Sequence, residues 1–215
     1  MKEFAIIGLG NFGSTVARTL SEYDCHVTAI DADKTKVQAL QKLVRQAIVA
    51  DATEMEFLQN LEVDKFDGVV VSTGENTDIA VLIVLHLKEL GAKKIIVKAK
   101  SDDHAKILLK VGASQAIIPE QQMATRIAHS LAEANVVDYL PLTGGNIVAE
   151  IPPPDQVVNK TLAELQFRKK YNIQVIAIKN ITTGLLEFGP SGNHRVNLSD
   201  RLVVLGKRED IESLK

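Results

Sequence analysis

From Lys2 to about Ile118, short β-branched apolar runs alternate with segments of helical periodicity, the order that βαβ units on a parallel sheet require. The runs Phe4–Ile7, Val27–Ile30, Ala47–Val49, Gly68–Val71, Lys94–Val97 and Ala116–Ile118 predict about six strands, enough for a full doubly wound sheet. Between them the pattern predicts helices near Asn11–Glu22, Lys34–Lys42, Glu54–Asn60, Thr77–Leu90 and Asp102–Val111, two of them stopped by Gly91 and Gly112.

Two of the helical segments carry more apolar surface than an amphipathic helix needs. Ile79–Leu85 is apolar on every side, which predicts a helix buried under the sheet or one that lies partly at a subunit interface. Glu120 to about Asn135 places Met123, Ala124, Ile127, Ala128, Leu131 and Ala132 on one face, a small-residue stripe suited to core packing or to crossing onto a second subunit. After Asn135 the pattern changes. Val136–Leu142 reads as irregular, Thr143-Gly144-Gly145 marks a turn, and Pro152-Pro153-Pro154 cannot sit inside a helix or a central strand. Beyond lie predicted strands Ile147–Ile151, Val175–Ile181, Leu185–Phe188 and Leu202–Leu205, a hairpin turn at Thr182-Thr183-Gly184, and short helices near Thr161–Leu165 and at the C-terminus. The expected organisation is therefore an α/β unit over residues 1–135, a linker over 136–145 and a small α+β domain over 146–215.

Composition narrows the function classes. A 46% hydrophobic, 24% charged chain is that of a packed globular protein. The net charge of −2, without a dense Lys/Arg block, gives no electrostatic footprint for nucleic acid or an anionic membrane. No apolar stretch approaches the roughly 18 residues of a spanning helix, and Met1 leads almost directly into a strand, so the chain is expected to be cytoplasmic. Cys25 is the only cysteine, and the five histidines show no metal-ligand spacing, so no closed transition-metal site is expected.

The strongest chemical signal is Gly8-Leu9-Gly10-Asn11-Phe12-Gly13, a G-x-G-x-x-G run directly after a predicted strand and opening a helix. In a Rossmann-like unit Gly8 permits the tight turn, Gly10 lets a pyrophosphate reach the backbone, and Gly13 lets helix and strand pack closely. The helix N-terminus adds free N–H groups and a partial positive charge. Asp31 ends the second strand 18 residues after Gly13, where an acidic side chain accepts the hydrogen bonds of an adenosine ribose and repels a 2′-phosphate. Asp51-Ala52-Thr53 ends the third strand, where an adenine would lie, although Thr53 with Glu56 also forms a T-x-x-E capping box. Ser72-Thr73-Gly74-Glu75 and Lys98 fall at the ends of the fourth and fifth strands, on the edge where open α/β sheets bind ligands. Lys98 is a candidate phosphate partner, and Glu120 reads by default as the first turn of the next helix.

Taken together, Phe4–Gly13, Ala50–Thr53, Val97–Lys100, Ile118–Glu120 and Tyr171–Lys179 make the whole chain resemble the RCK family (regulator of potassium conductance), of the TrkA/KtrA type. The resemblance implies a Rossmann-like N-terminal domain, a crossover helix at 120–135 and a small C-terminal regulatory domain. It implies a cytosolic nucleotide-sensing subunit that forms homodimers and then a ring, an octamer, and gates a potassium-translocating membrane protein from its inner face. Members of the family bind ATP and ADP, or NADH and NAD. In some a divalent cation links the nucleotide to a glutamate matching Glu120, and in some the C-terminal domain binds cyclic di-AMP, which would place Arg168, Ile173, Ile176 and Pro190 at that site. At Asn11 this sequence departs from the ATP-gated members, which carry a phosphate-reaching arginine there; this shifts the expectation toward NAD(H), ADP or AMP.

A different class, a NAD-dependent oxidoreductase with a minimal substrate domain, needs an acid/base constellation beside the cofactor. Lys98, His104 and His129 are scattered candidates for it, and no catalytic residue is assigned. A redox-sensing transcription regulator needs a basic recognition helix, which the chain lacks.

Overall fold

The computed structural model describes residues 1–74, 76–132 and 138–214. Glu75, the 133–137 stretch of the predicted crossover helix and linker, and Lys215 lie outside the described residues. The chain divides into two compact units, Met1–Gln121 and Gln122–Lys215.

The first unit alternates β1 (Glu3–Ile7), α1 (Asn11–Glu22), β2 (His26–Asp31), α2 (Lys34–Leu40), β3 (Gln46–Val49), α3 (Met55–Asn60), β4 (Gly68–Val71), α4 (Thr77–Glu89), β5 (Ile95–Lys98), α5 (Asp102–Val111) and β6 (Gln115–Ile117); α6 (Pro119–Ala132) begins in it. The six strands are parallel in the order β3-β2-β1-β4-β5-β6. Strand order reverses between β1 and β4, and that switch opens a crevice at the C-terminal edge of the sheet.

Strand side chains alternate between two buried faces. Ala5, Ile7, Ile30, Val69, Val71, Ile95 and Val97 pack with Leu58 of α3, Ile83 and Leu87 of α4 and Leu108 of α5. Ile6, Val27, Ala29 and Val70 pack on the other face with Ala17 of α1 and Val37 and Leu40 of α2. This two-sided burial is why the strands read as continuous apolar runs.

The apolar segment Ile79–Leu85 is helical, but it is not buried all round. Ala80, Ile83, Val84 and Leu87 are buried, whereas Leu82 and Leu85 are 39% and 40% exposed. On α6, Met123, Ile127 and Leu131 are likewise exposed, so core packing does not account for that stripe within one chain.

The second unit holds a five-stranded antiparallel sheet in the order β10-β9-β11-β8-β7, from β7 (Asp138–Pro141), β8 (Asn146–Ile151), β9 (Gln174–Asn180), β10 (Leu186–Phe188) and β11 (Asp200–Lys207). Short helices α7 (Leu162–Leu165), α8 (Phe167–Lys170) and α9 (Arg208–Glu212) complete it. Asp138–Pro141, read from the sequence as part of an irregular linker, is an edge strand paired with β8. An edge position tolerates Pro141, the residue that masks the strand pattern. The hairpin at Thr182-Thr183-Gly184 joins β9 to β10, with the Gly184 N–H donating to the Asn180 carbonyl.

Candidate functional site

The turn from β1 into α1 is built by steric necessity. Gly8 has φ +88°, and a Cβ there would stand 2.1 Å from the Ser72 carbonyl oxygen at the end of β4. A Cβ on Gly13 would stand 1.9 Å from the Gly8 carbonyl oxygen. Gly10 differs: a Cβ there meets nothing within 4 Å, so the backbone faces open space at that point. Gly10 is also the N-cap of α1 and supplies no side-chain cap, which leaves the first-turn amides free to face a ligand.

Asp31 ends β2 beside this turn. Its Oδ2 accepts from the Leu9 N–H at 2.7 Å and its Oδ1 from the Asp33 N–H at 2.8 Å, while Lys36 Nζ lies 3.5 Å from Oδ2. The carboxylate thus ties the glycine turn to the neighbouring strand and retains acceptor capacity for further donors. Asp33 caps α2, its side chain accepting from the Thr35 N–H.

At the end of β3, Asp51 Oδ1 accepts from both the N–H and the hydroxyl of Thr53. These bonds, the backbone one first, hold the Asp51 carboxyl below its ordinary value. The T-x-x-E capping box is absent: α3 opens from Glu54, one residue past Thr53, and Glu54 makes no side-chain cap bond.

Lys98, at the end of β5, forms an ion pair with Glu120 in the first turn of α6. The Lys98 hydrogen bond is the main cause that holds the Glu120 carboxyl below its ordinary value. Neighbouring β5 and β6 bring together two residues 22 positions apart.

These groups line one cleft of about 460 Å³ in the first unit. Of the sequence candidates, Gly8, Gly10, Asn11, Phe12, Asp31, Asp51, Ala52, Thr73, Gly74, Lys98 and Glu120 line it; Gly13 and Thr53 do not, and instead touch lining residues, Gly13 packing on Gly8 and Thr53 bonding to Asp51. The sequence did not single out Lys36, nor the apolar wall of Ile7, Ile30, Ala50, Ile79 and Ile83. Ile79 and Ile83, one helical turn apart, carry the only signal that could have placed them on a shared face.

Histidines stand apart from this cleft where they are described. His104 is buried, accepts from the Lys100 N–H through Nδ1, and does not line the cleft; the His129 side chain lies outside the described residues. In the second unit a shallow depression of about 410 Å³ is lined by Arg168 and Ile173 but not by Ile176 or Pro190. Ile173 is 1% exposed and belongs to that unit's core.

A glycine turn at a topological switch point, faced by an acid at the end of the second strand, defines a Rossmann-type nucleotide-binding unit. The TrkA-N domain family matches residues 4–119 and the TrkA-C domain family matches residues 147–215, and the chain belongs to this two-domain TrkA family. It is 40% identical over 210 residues to the Ktr system potassium uptake protein C of Bacillus subtilis, covering 98% of this chain and 94% of that one. It is 35% identical over 211 residues to the Ktr system potassium uptake protein A of the same organism, with the same coverage. Among solved structures it resembles the GsuK RCK domain with a TM-score of 0.67 at 18% identity, over 99% of this chain and 46% of that chain. No helix among the described residues is long and apolar enough to cross a membrane.

Proposed function

We propose that this chain is a nucleotide-sensing regulatory subunit that acts from the cytoplasmic face on a potassium-translocating membrane protein. The observation that carries the reading is the cleft itself: its glycine turn and Asp31 share a lining with Lys98, whose ion pair with Glu120 reaches the start of α6, the helix that leads into a second folded unit. The 40% identity to a potassium uptake protein supplies the transport context.

The ligand is an adenine nucleotide whose ribose binds Asp31, whose phosphates lie at Gly10, Asn11 and the start of α1, and whose base lies near Asp51 and Ala52. The charge balance favours NAD(H), ADP or AMP over ATP. Lys36 stands by Asp31 and Lys98 by Glu120, Asp51 adds a further anion, and Asn11 is neutral. A triphosphate brings more negative charge than those lysines offset. A divalent cation at Glu120 would take its remaining ligands from the nucleotide and water, since no group of three His, Cys, Asp or Glu side chains converges among the described residues.

Function requires no bond making, only that the nucleotide bind two conformations of the assembly with different affinity; that difference is the free energy that moves the gate. The assembly is a ring of homodimers, an octamer. Cyclic di-AMP at the second unit is a weaker reading that rests on Arg168 in the shallow depression.

The deciding experiment is a thermal-shift comparison of NADH, NAD, ATP, ADP, AMP and cyclic di-AMP on the wild type and Asp31→Ala. A ligand at 100 times its Kd adds about 2.7 kcal/mol to the native state. The expected result is stabilisation by NAD(H), ADP or AMP that Asp31→Ala abolishes, with no turnover of NADH. Steady oxidation of NADH by a small alcohol or acid substrate would sink the regulatory reading in favour of an oxidoreductase.

A further inference from the structure

Lys98 and Glu120 line the same cleft, yet they are unequally placed in it. The Lys98 side chain is 22% exposed at the end of β5, whereas Glu120 is 66% exposed at the start of α6. The ammonium is therefore anchored in the wall of the cleft, and the carboxylate reaches it from the rim. The other lysine lining the cleft, Lys36, stands at Asp31, on the ribose side. Among the described lining residues this leaves Lys98 as the cation available to a phosphate that is not already assigned to the ribose carboxylate.

We propose that Lys98 is shared between two anions, Glu120 and a phosphate of the bound nucleotide, so that phosphate binding draws Lys98 away from Glu120 and loosens the first turn of α6. The proposal rests on the nucleotide reading above and adds to it the residue through which the cleft reaches the crossover helix. A phosphate offers more negative charge and more acceptor oxygens than one carboxylate, so it competes well for the ammonium. A lysine has three N–H donors and can touch both anions at once. That arrangement holds two like charges within a few ångströms in a half-enclosed cleft, so each anion weakens the other's hold. Glu120 follows Pro119 at the start of a helix that crosses from the first unit into the second. Release of its side chain is thus a change at the start of the helix along which the chain passes from the first unit to the second.

The test is a double-mutant cycle read by calorimetric titration of the full chain, in buffer containing EDTA, with adenosine, AMP, ADP and NADH. Glu120→Gln removes the competing charge. It is expected to tighten AMP, ADP and NADH by about two- to fivefold, the scale of a partly exposed ion pair, and to leave adenosine unchanged. Lys98→Met is expected to weaken the three phosphate ligands and spare adenosine. In the Lys98→Met background, Glu120→Gln is expected to confer no gain. Should Lys98→Met melt below the working temperature, Lys98→Gln replaces it with the same expectation. The proposal is overturned if Glu120→Gln weakens or does not change the phosphate ligands, or if its gain persists without Lys98. Binding of adenosine and AMP with equal affinity in every variant sinks this proposal alone; failure of all four ligands to bind the wild type sinks the nucleotide reading and this proposal with it.

Discussion

At the scale of single residues, the glycines of the turn separate folding from binding. Gly13 faces the Gly8 carbonyl oxygen so closely that a methyl group cannot enter without moving backbone. Gly13→Ala is expected to cost about 3 kcal/mol or more and to lower the melting temperature sharply. Gly10 has an ordinary φ of −67° and open space where its Cβ would be. Gly10→Ala should stay within about 1 kcal/mol of wild-type stability, yet lose nucleotide-induced stabilisation because the methyl group stands where the phosphates approach. Melts with and without nucleotide distinguish the two; an unstable Gly10→Ala, or one that binds normally, contradicts the assignment. Asp51 makes a second residue-scale prediction. Its carboxyl is held below the ordinary value by the Thr53 N–H and hydroxyl. A depressed folded-state value means that this contribution is full above the unfolded-chain pKa and is lost as pH falls through the folded one, in a window below about pH 4. Asp51→Asn should therefore lose part of the fall in melting temperature between about pH 5 and pH 3, measured against the wild type in matched buffers.

At the scale of elements, α7 in the second unit opens with a full capping box. The Glu164 N–H donates to the Thr161 hydroxyl, and the Glu164 carboxylate accepts from the Thr161 N–H at 2.7 Å. Thr161→Ala should cost about 0.5–2 kcal/mol, read by urea unfolding, and leave nucleotide affinity unchanged because the cleft lies in the other unit. The same kind of motif shows where sequence reading stops. T-x-x-E is present at both Thr53 and Thr161, and only the second is a cap. The difference lies in where each helix starts: α7 opens from Thr161 itself, whereas α3 opens from Glu54, one residue past Thr53; the pattern alone does not fix that register. The alternation of strands and helices along the chain, the glycine turn and the acid at the end of β2 were legible because each depends on chain-local periodicity or spacing. The bond from the Leu9 N–H to Asp31 and the pairing of Lys98 with Glu120 were not, since each joins residues 22 positions apart through the lateral packing of parallel strands. Edge strand β7 escaped for a related reason: its short run ends in Pro141, and only its partner β8 reveals it.

At the scale of the whole molecule, the surface of α4 and α5 holds more apolar area than one chain uses. Leu82 and Leu85 on α4, with Ile107 and Leu109 on α5, are between 39% and 50% exposed, although neighbouring positions on the same helices are fully buried. The two helices pack beside each other on one face of the first sheet, so Leu82 and Leu85 can be changed without opening the core. Exposed positions of this kind usually change stability by about 0.5 kcal/mol or less, whereas charges placed in an interface between copies desolvate unpaired and disrupt it. The double substitution Leu82→Lys and Leu85→Lys is therefore expected to reduce the particle size measured by light scattering below that of the wild type. Its affinity for the nucleotide should stay close to that of the wild type, because neither residue touches the cleft, and its melting temperature should fall only by what the lost association contributes to the native state. Nucleotide dependence of potassium transport, measured with the membrane partner, should be lost, since a binding difference confined to separate subunits has no common gate to move. An unchanged particle size would show that α4 is not part of the interface and would leave the exposed face of α6 as the site of contact between copies.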